Sequence, residues 1–165
     1  MIFFDLDGVI RDLSEEVWPG QVEEEWDKPA PDGRNIFDYI NDNIDILLTS
    51  PQTKFCRVIR FFNPTILTSQ PENWRINTTI WIKKNCPEYN KIIFVSKPEE
   101  KLNIVTKNDW LVDDYPLFPK ELYNENILLI HHKYNENVSS KFRIKKASTL
   151  MQVLSKIKNQ KGIYK

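Results

Sequence analysis

The sequence predicts an α/β protein built on a central parallel sheet, and three observations carry that prediction. Short apolar runs recur along the chain: MIFFDLDGVI at 1–10, TILT at 65–68, KIIFV at 91–95, DWLVD at 109–113 and NILLI at 126–130. Segments with helical spacing separate most of them, so that strand and helix alternate. The runs are continuous rather than alternating in polarity, the pattern of strands covered on both faces, and helices between successive strands impose parallel order. The expected architecture is a Rossmann-like three-layer sandwich forming one domain over 1–165, with a small cap inserted after the first strand over about 11–50.

Each element has a local reason. The first run contains Asp5-Leu6-Asp7-Gly8-Val9, and a polar stretch follows over 11–35, where VWPGQVEEEWDKPAPDGR carries three prolines and two glycines that break any long periodic element. From Ile36 to Leu48 the apolar positions 36, 37, 40, 44, 47 and 48 follow helical spacing. Ser50-Pro51 reads as an N-cap followed by proline at the first helical position, predicting a second helix over about 51–62. Further helices are expected over about 72–85 and 98–105, with a shorter one near 119–124. In the tail, 146–159, Ala147, Leu150, Met151, Leu154 and Ile157 share one helical face and should dock on the sheet.

Composition narrows the class. A chain of this length buries roughly 70% of its unfolded surface, enough for a sizeable core, and 41% hydrophobic with 28% charged residues is ordinary for a folded domain. The opening residues are apolar but lack a basic n-region and a small-residue cleavage site, so no secretory leader is expected. No run approaches the ~20 apolar residues of a membrane span. The only cysteines, Cys56 and Cys86, fit no metal-ligand spacing, and a reduced, cytoplasmic setting is expected. Net charge is zero but unevenly divided: residues 1–50 hold 13 acidic and 3 basic residues, while 141–165 hold eight basic and none acidic. That asymmetry fits steering of an anionic ligand or two solvated faces of opposite sign, and the basic tail fits a nucleic-acid patch or the wet side of a docked helix.

The chemistry concentrates where strands end. In an open parallel sheet, ligands bind outside the carboxyl ends of the strands. The first run delivers Asp5 and Asp7 there, the fourth delivers Asp113 and Asp114, and the second ends in Thr68-Ser69. A buried carboxylate without a partner normally neutralises or acquires a cation. Two such pairs converging on one crevice repel each other unless a cation lies between them, and a hard site of oxygen ligands suits Mg2+.

With FFDLDGV at 3–9, ILTS at 66–69, a lysine before the fourth strand and LVDD at 111–114, the chain resembles the haloacid dehalogenase superfamily of phosphohydrolases over residues 2 to about 115. The resemblance implies that Asp5 is the nucleophile forming an aspartyl-phosphate. It makes Asp7 the acid that protonates the leaving oxygen and then activates water. It implies Mg2+ held by the Asp5 side chain, the Asp7 backbone carbonyl, Asp113 and Asp114, with Gly8 permitting the sharp turn. Thr68 would hydrogen-bond the phosphoryl group, or else cap the helix near 72, and backbone N–H groups around Ser69 at a helix start would assist. One of Lys97, Lys101 and Lys107 should neutralise the phosphoryl oxygens and the nucleophile, and Lys101 is favoured. An aspartate two residues after the nucleophile marks the phosphatases and phosphomutases of the superfamily.

The remaining polar residues carry less. Arg11 would touch substrate phosphate or pair with a neighbouring carboxylate. His131 and His132 are expected at the surface. Trp18 and Trp26 would stack on a base or pack within the cap. ILTS followed by proline, and a fourth motif of the form hydrophobic-DD-x-P, are similar to small 5′(3′)-deoxyribonucleotidases. The implied function is a Mg2+-dependent phosphomonoesterase acting on a small phosphorylated substrate, first a nucleoside monophosphate, without a membrane partner. A polynucleotide end phosphatase and a non-catalytic binding module of the same fold are the alternatives.

Overall fold

The five apolar runs form strands of one parallel sheet, which a sixth, two-residue strand extends at its edge. The structure is a computed structural model that describes residues 1–22, 24–89 and 91–162; Glu23 of the polar stretch and Lys165 of the basic tail lie outside the described residues. The strands are β1 (Ile2–Phe4), β2 (Thr65–Ser69), β3 (Lys91–Val95), β4 (Trp110–Asp113), β5 (Ile127–Ile130) and β6 (Arg143–Ile144). Their order across the sheet is β3-β2-β1-β4-β5-β6, and every neighbouring pair is parallel. From β1 the chain winds outward through β2 and β3, then returns to place β4 on the other side of β1. The winding therefore reverses between β1 and β4, the point at which open α/β sheets form their ligand crevice.

Alternation along the strands divides the core into two faces. Phe4, Ile66, Val112, Leu128 and Ile130 pack with Cys56, Ile59, Trp81, Ile82, Leu150, Leu154 and Ile157, which come from α4 (Cys56–Ile59), α5 (Arg75–Asn85) and α7 (Ala147–Gly162). Phe3, Leu67, Leu111, Ile127 and Leu129 pack the opposite way, against Tyr115, Phe118 and Tyr123, with Leu102, Ile104 and Val105 closing the edge. Each fully buried aliphatic or aromatic side chain contributes roughly 1.5–3 kcal/mol relative to exposure, so this two-sided burial sets the strand register. The tail helix α7 docks as expected, with Leu150, Leu154 and Ile157 inside.

Several helices differ from the spacing prediction. The helix expected over 51–62 is not continuous. Ser50 ends α3 (Ile46–Thr49) by donating its hydroxyl to the Ile46 carbonyl at 2.5 Å, instead of opening the next helix. Gln52 bridges to Arg11, and only Cys56–Ile59 is α-helical before a 3-10 turn at Arg60–Phe62. Asn63, at φ +49, then turns the chain into β2. The helix expected over 36–48 is two pieces, α2 (Ile36–Asp42), capped by the Asn35 side chain, and α3. Asn43 ends the first piece, its backbone N–H donating to the Tyr39 and Ile40 carbonyls. Residues 98–103 form a 3-10 stretch opened by Pro98, and the short helix near 119–124 is α6 (Leu122–Glu125).

The segment expected as a cap consists of α1 (Leu13–Val17), α2, α3 and connecting loops. It has its own apolar cluster of Val17, Trp18, Ile40 and Leu47, joined by Trp74 from beyond β2. Trp18 is one of these packed residues, and its indole N–H donates to the Pro29 carbonyl at 3.2 Å. Among the described residues, no helix is long and apolar enough to cross a membrane.

Candidate active site

Register alone brings the acids together. Phe4 is level with Val112, and the Asp5 N–H continues that ladder by donating to the Val112 carbonyl at 2.9 Å. Asp5 is therefore level with Asp113 at the carboxyl ends of adjacent strands. By alternation both side chains belong to the face of Phe3 and Leu111. The 3-10 stretch 98–103 closes that face and delivers Lys101, which is 1% exposed. The Lys101 ammonium lies 2.8 Å from Asp5 Oδ2 and 2.8 Å from Asp113 Oδ2. Lys97 and Lys107 are both exposed.

The other oxygens of these two acids are also held. Asp5 Oδ1 accepts from the Leu6 N–H at 2.8 Å, and Asp113 Oδ1 from the Tyr115 N–H at 2.9 Å. Asp114 is 3% exposed; its Oδ2 accepts from the Tyr134 hydroxyl, while Oδ1 is buried with no hydrogen-bond partner among the described residues. One ligand oxygen from each of Asp5, Asp113 and Asp114 lies within 4.8 Å of the others. Burial, then repulsion from Asp113 and Asp114, holds the Asp5 carboxyl well above its ordinary value despite Lys101. Burial and Asp113 likewise raise Asp114, against the pull of Tyr134 and Lys101. Burial also disfavours the Lys101 charge, but Asp113 and Asp5 outweigh it and raise its pKa.

The donor set fits a hard divalent cation. Three buried carboxylates face one ammonium, one buried Asp114 oxygen is orphaned, and all available ligand atoms are oxygens. Gly8 completes the fit by its lack of a side chain. It sits at φ +75, and a Cβ there would fall 2.6 Å from Asp114 Cγ. The loop Asp5-Leu6-Asp7-Gly8 can thus lie directly on Asp114 only with glycine at position 8.

Asp7 is held apart from this cluster. Its Oδ1 accepts from Arg11 Nε at 2.6 Å, and its Oδ2 from Arg11 Nη2 at 3.1 Å and Gln70 Nε2 at 2.7 Å. Arg11 is completely buried, donates a further bond to the Leu47 carbonyl at 2.9 Å and lies over the Trp81 ring. Of the two alternatives for Arg11, the fold adopts pairing with a carboxylate; the guanidinium is not presented to solvent as a substrate contact. A buried arginine with a bidentate carboxylate is the arrangement its planar fork favours.

The second-strand residues need one correction. Thr68 is buried and Ser69 half-buried at the end of β2. The Gln70 N–H donates to the Val95 carbonyl at 2.9 Å, and the next helical turn, a 3-10 turn, begins at Glu72 rather than at Ser69. Nor does Thr68 cap that turn, whose N-cap is Pro71.

Four contributors escape sequence reasoning. Against the expectation of surface histidines, His131 and His132 are both half-buried, and His132 Nε2 lies 2.9 Å from the Gly8 carbonyl, with its ring stacked on Tyr134. Asn135 is fully buried and donates to the carbonyls of Asp114 and Ile130 at 2.9 and 2.8 Å, tying the loops after β4 and β5 together. Tyr134 and Gln70 complete the surround. The histidine pair directly after an apolar strand is the one available signal. Trp26, 40% exposed, packs edge-on against Tyr115 and Tyr134, each at 5.2 Å between ring centroids, and so stands beside the acidic cluster.

Fold and site define an α/β protein with a doubly wound parallel sheet and a buried acidic cluster, bridged by lysine, at its switch point. No family model matches the chain, and no curated protein does.

Proposed function

We propose that the chain is a Mg2+-dependent phosphomonoesterase of the haloacid dehalogenase type. The observation that carries this reading is Lys101, buried and bonded at once to Asp5 and Asp113. A lysine so placed lowers the repulsion around a carboxylate that must approach an anionic phosphate.

Asp5 supplies the attacking oxygen: a bond forms from its carboxylate to phosphorus as the bond to the leaving oxygen breaks, giving an aspartyl-phosphate on Asp5. Lys101 offsets the charge of the nucleophile and of the phosphoryl oxygens. Asp5, Asp113, Asp114 and the Asp7 carbonyl would hold Mg2+, which when bound neutralises phosphoryl charge as a Lewis acid. Asp7 protonates the leaving oxygen and then takes a proton from the water that cleaves the intermediate. To do so it must turn away from Arg11 and Gln70, which hold its carboxylate by three bonds. Thr68 and Ser69, at the end of β2, border the phosphoryl position. The segment 11–50 serves as a small cap, and Trp26 beside Tyr115 and Tyr134 favours a substrate with a planar base, a nucleoside monophosphate first. A cytoplasmic setting, with both cysteines as thiols, goes with this reading.

A polynucleotide end is the second substrate class, favoured by exposed Lys145 and Lys146 immediately after β6, on the same edge of the sheet. Phosphate release from nucleoside monophosphates, 5′- and 3′-phosphorylated oligonucleotides and p-nitrophenyl phosphate, each in Mg2+ and in chelator, tests the proposal. The expected result is Mg2+-dependent release, fastest from a nucleoside monophosphate. Release from none of them makes the protein a binding module instead.

A further inference from the structure

The chain's only two cysteines, thirty residues apart in sequence, meet in the core. Cys56 opens α4 and Cys86 caps the C-terminus of α5; both are 0% exposed, and their sulfurs are 3.4 Å apart. Burial alone explains a thiol in the core. It does not require two thiols on separate elements to face each other. Both elements are also fixed from outside the pair. The Tyr89 hydroxyl donates to the Cys56 carbonyl at 3.0 Å, and the Gln52 side chain donates to the Asn85 carbonyl at 2.7 Å. A bond between the sulfurs needs an approach of only about 1.4 Å.

We propose that Cys56 and Cys86 form a redox-modification site, a dithiol that closes to an intramolecular disulfide by exchange with a small-molecule disulfide. The Cys56 thiolate attacks one sulfur of the oxidant, whose S–S bond breaks and releases one thiolate, leaving a mixed disulfide on Cys56. Cys86 then loses its proton and attacks the Cys56 sulfur, expelling the second small thiolate. In balance, two protein thiols and one small disulfide give one protein disulfide and two small thiols. Cys56 is written as the attacking thiol because it lies on the four-residue α4, the shorter of the two elements, whereas Cys86 ends the eleven-residue α5. Because both sulfurs are covered, the first attack requires local opening of the α4 segment. The rate is therefore slow, and the equilibrium is the quantity to measure. The inference is independent of the phosphatase reading.

The full chain is equilibrated in glutathione buffers of stepped redox ratio, folded and in urea, quenched with acid and analysed by intact mass and peptide mapping. The expected product is ~2 Da lighter than the reduced protein, with Cys56 and Cys86 joined in one cross-linked peptide pair. The effective concentration of the pair should be roughly 500-fold higher in the folded protein than in the unfolded chain, the ratio that closure of such a loop gives in the chain-entropy model. C86S should stop at the mixed disulfide with glutathione. An effective concentration no higher in the folded protein than in urea overturns the proposal, as does accumulation of mixed disulfides or disulfide-linked dimers by the wild type. Because the deciding comparison is made on the wild-type protein, poor folding of a variant does not affect it.

Discussion

Replacing Lys101 by methionine should destabilise the metal-free protein by about 3 kcal/mol. The side chain is 1% exposed and bridges Asp5 and Asp113 at 2.8 Å each. Methionine fills a similar volume but leaves two buried carboxylates facing each other. Removing one partner of a buried ion pair costs about 3–5 kcal/mol. The low end applies because the Asp5 carboxyl, already raised by burial, can take up a proton and relieve part of the repulsion. For a chain of this size each kcal/mol moves the melting temperature by roughly 2–4 °C, giving a loss of about 6–12 °C. Urea and thermal unfolding in chelator, with exposed Lys107→Met as control, measure this directly; the control should stay within ~0.5 kcal/mol. Saturating Mg2+ should narrow the deficit, since a cation then stands near the same carboxylates, and lowering the pH should narrow it too, as the raised Asp5 carboxyl protonates. A Lys101→Met protein as stable as the Lys107→Met control in chelator would refute the idea that this lysine compensates buried charge.

Three further outcomes test the site. Asp5→Asn should abolish phosphate release yet raise stability in chelator, since it removes a carboxylate whose pKa is raised chiefly by burial; retained turnover removes Asp5 as nucleophile. Gly8→Ala should weaken Mg2+ binding at least ~10-fold by calorimetry, because its backbone at φ +75 is strained by about 1–2 kcal/mol and its Cβ would enter the Asp114 carboxyl group; Gly20→Ala, at φ +68 with open space around it, isolates the backbone part. The third concerns pH. Asp5 and Asp114 have folded-state pKa values above their ordinary ones, so the stability linked to their protonation is fully present below the ordinary carboxylate pKa and lost as pH rises through the raised values. In chelator the wild type should therefore gain stability relative to Asp5→Asn/Asp114→Asn as pH falls from neutral. The lowered carboxyls Asp32, Glu99, Asp109 and Glu136 act oppositely but are common to both proteins and cancel. Parallel pH profiles would count against burial of ionised acid here.

What the sequence reveals and what it hides divide along the range of the interactions. Continuous apolar runs mark β1 to β5 because burial on both faces removes polar residues from them. β6, only two residues long, leaves no run to detect. The resemblance asks for one lysine before β4 and leaves Lys97, Lys101 and Lys107 as candidates with Lys101 favoured; that Lys101 is the one bonded to Asp5 and Asp113 is a tertiary fact. Ser50-Pro51 misleads because serine before proline serves equally at a helix end, and the Ser50 hydroxyl turns back to Ile46. Gln70 and His132 act through partners dozens of residues away, Gln70 on Asp7 and His132 on Gly8. No local pattern encodes such contacts.

The position of β1 between β2 and β4 also orders events during synthesis. Its first neighbour, β2, begins at Thr65 and its second only at Trp110. At about 5–20 residues per second on the ribosome, the nascent chain holds β1 on one open side for several seconds before β4 arrives. During that interval Asp5 and Asp7 stand in water at the end of a bare apolar strand, where charge discourages edge-to-edge association with other chains. Asp5, which becomes buried in the finished fold, and half-buried Asp7 thus act earlier as guardians of the unfinished one.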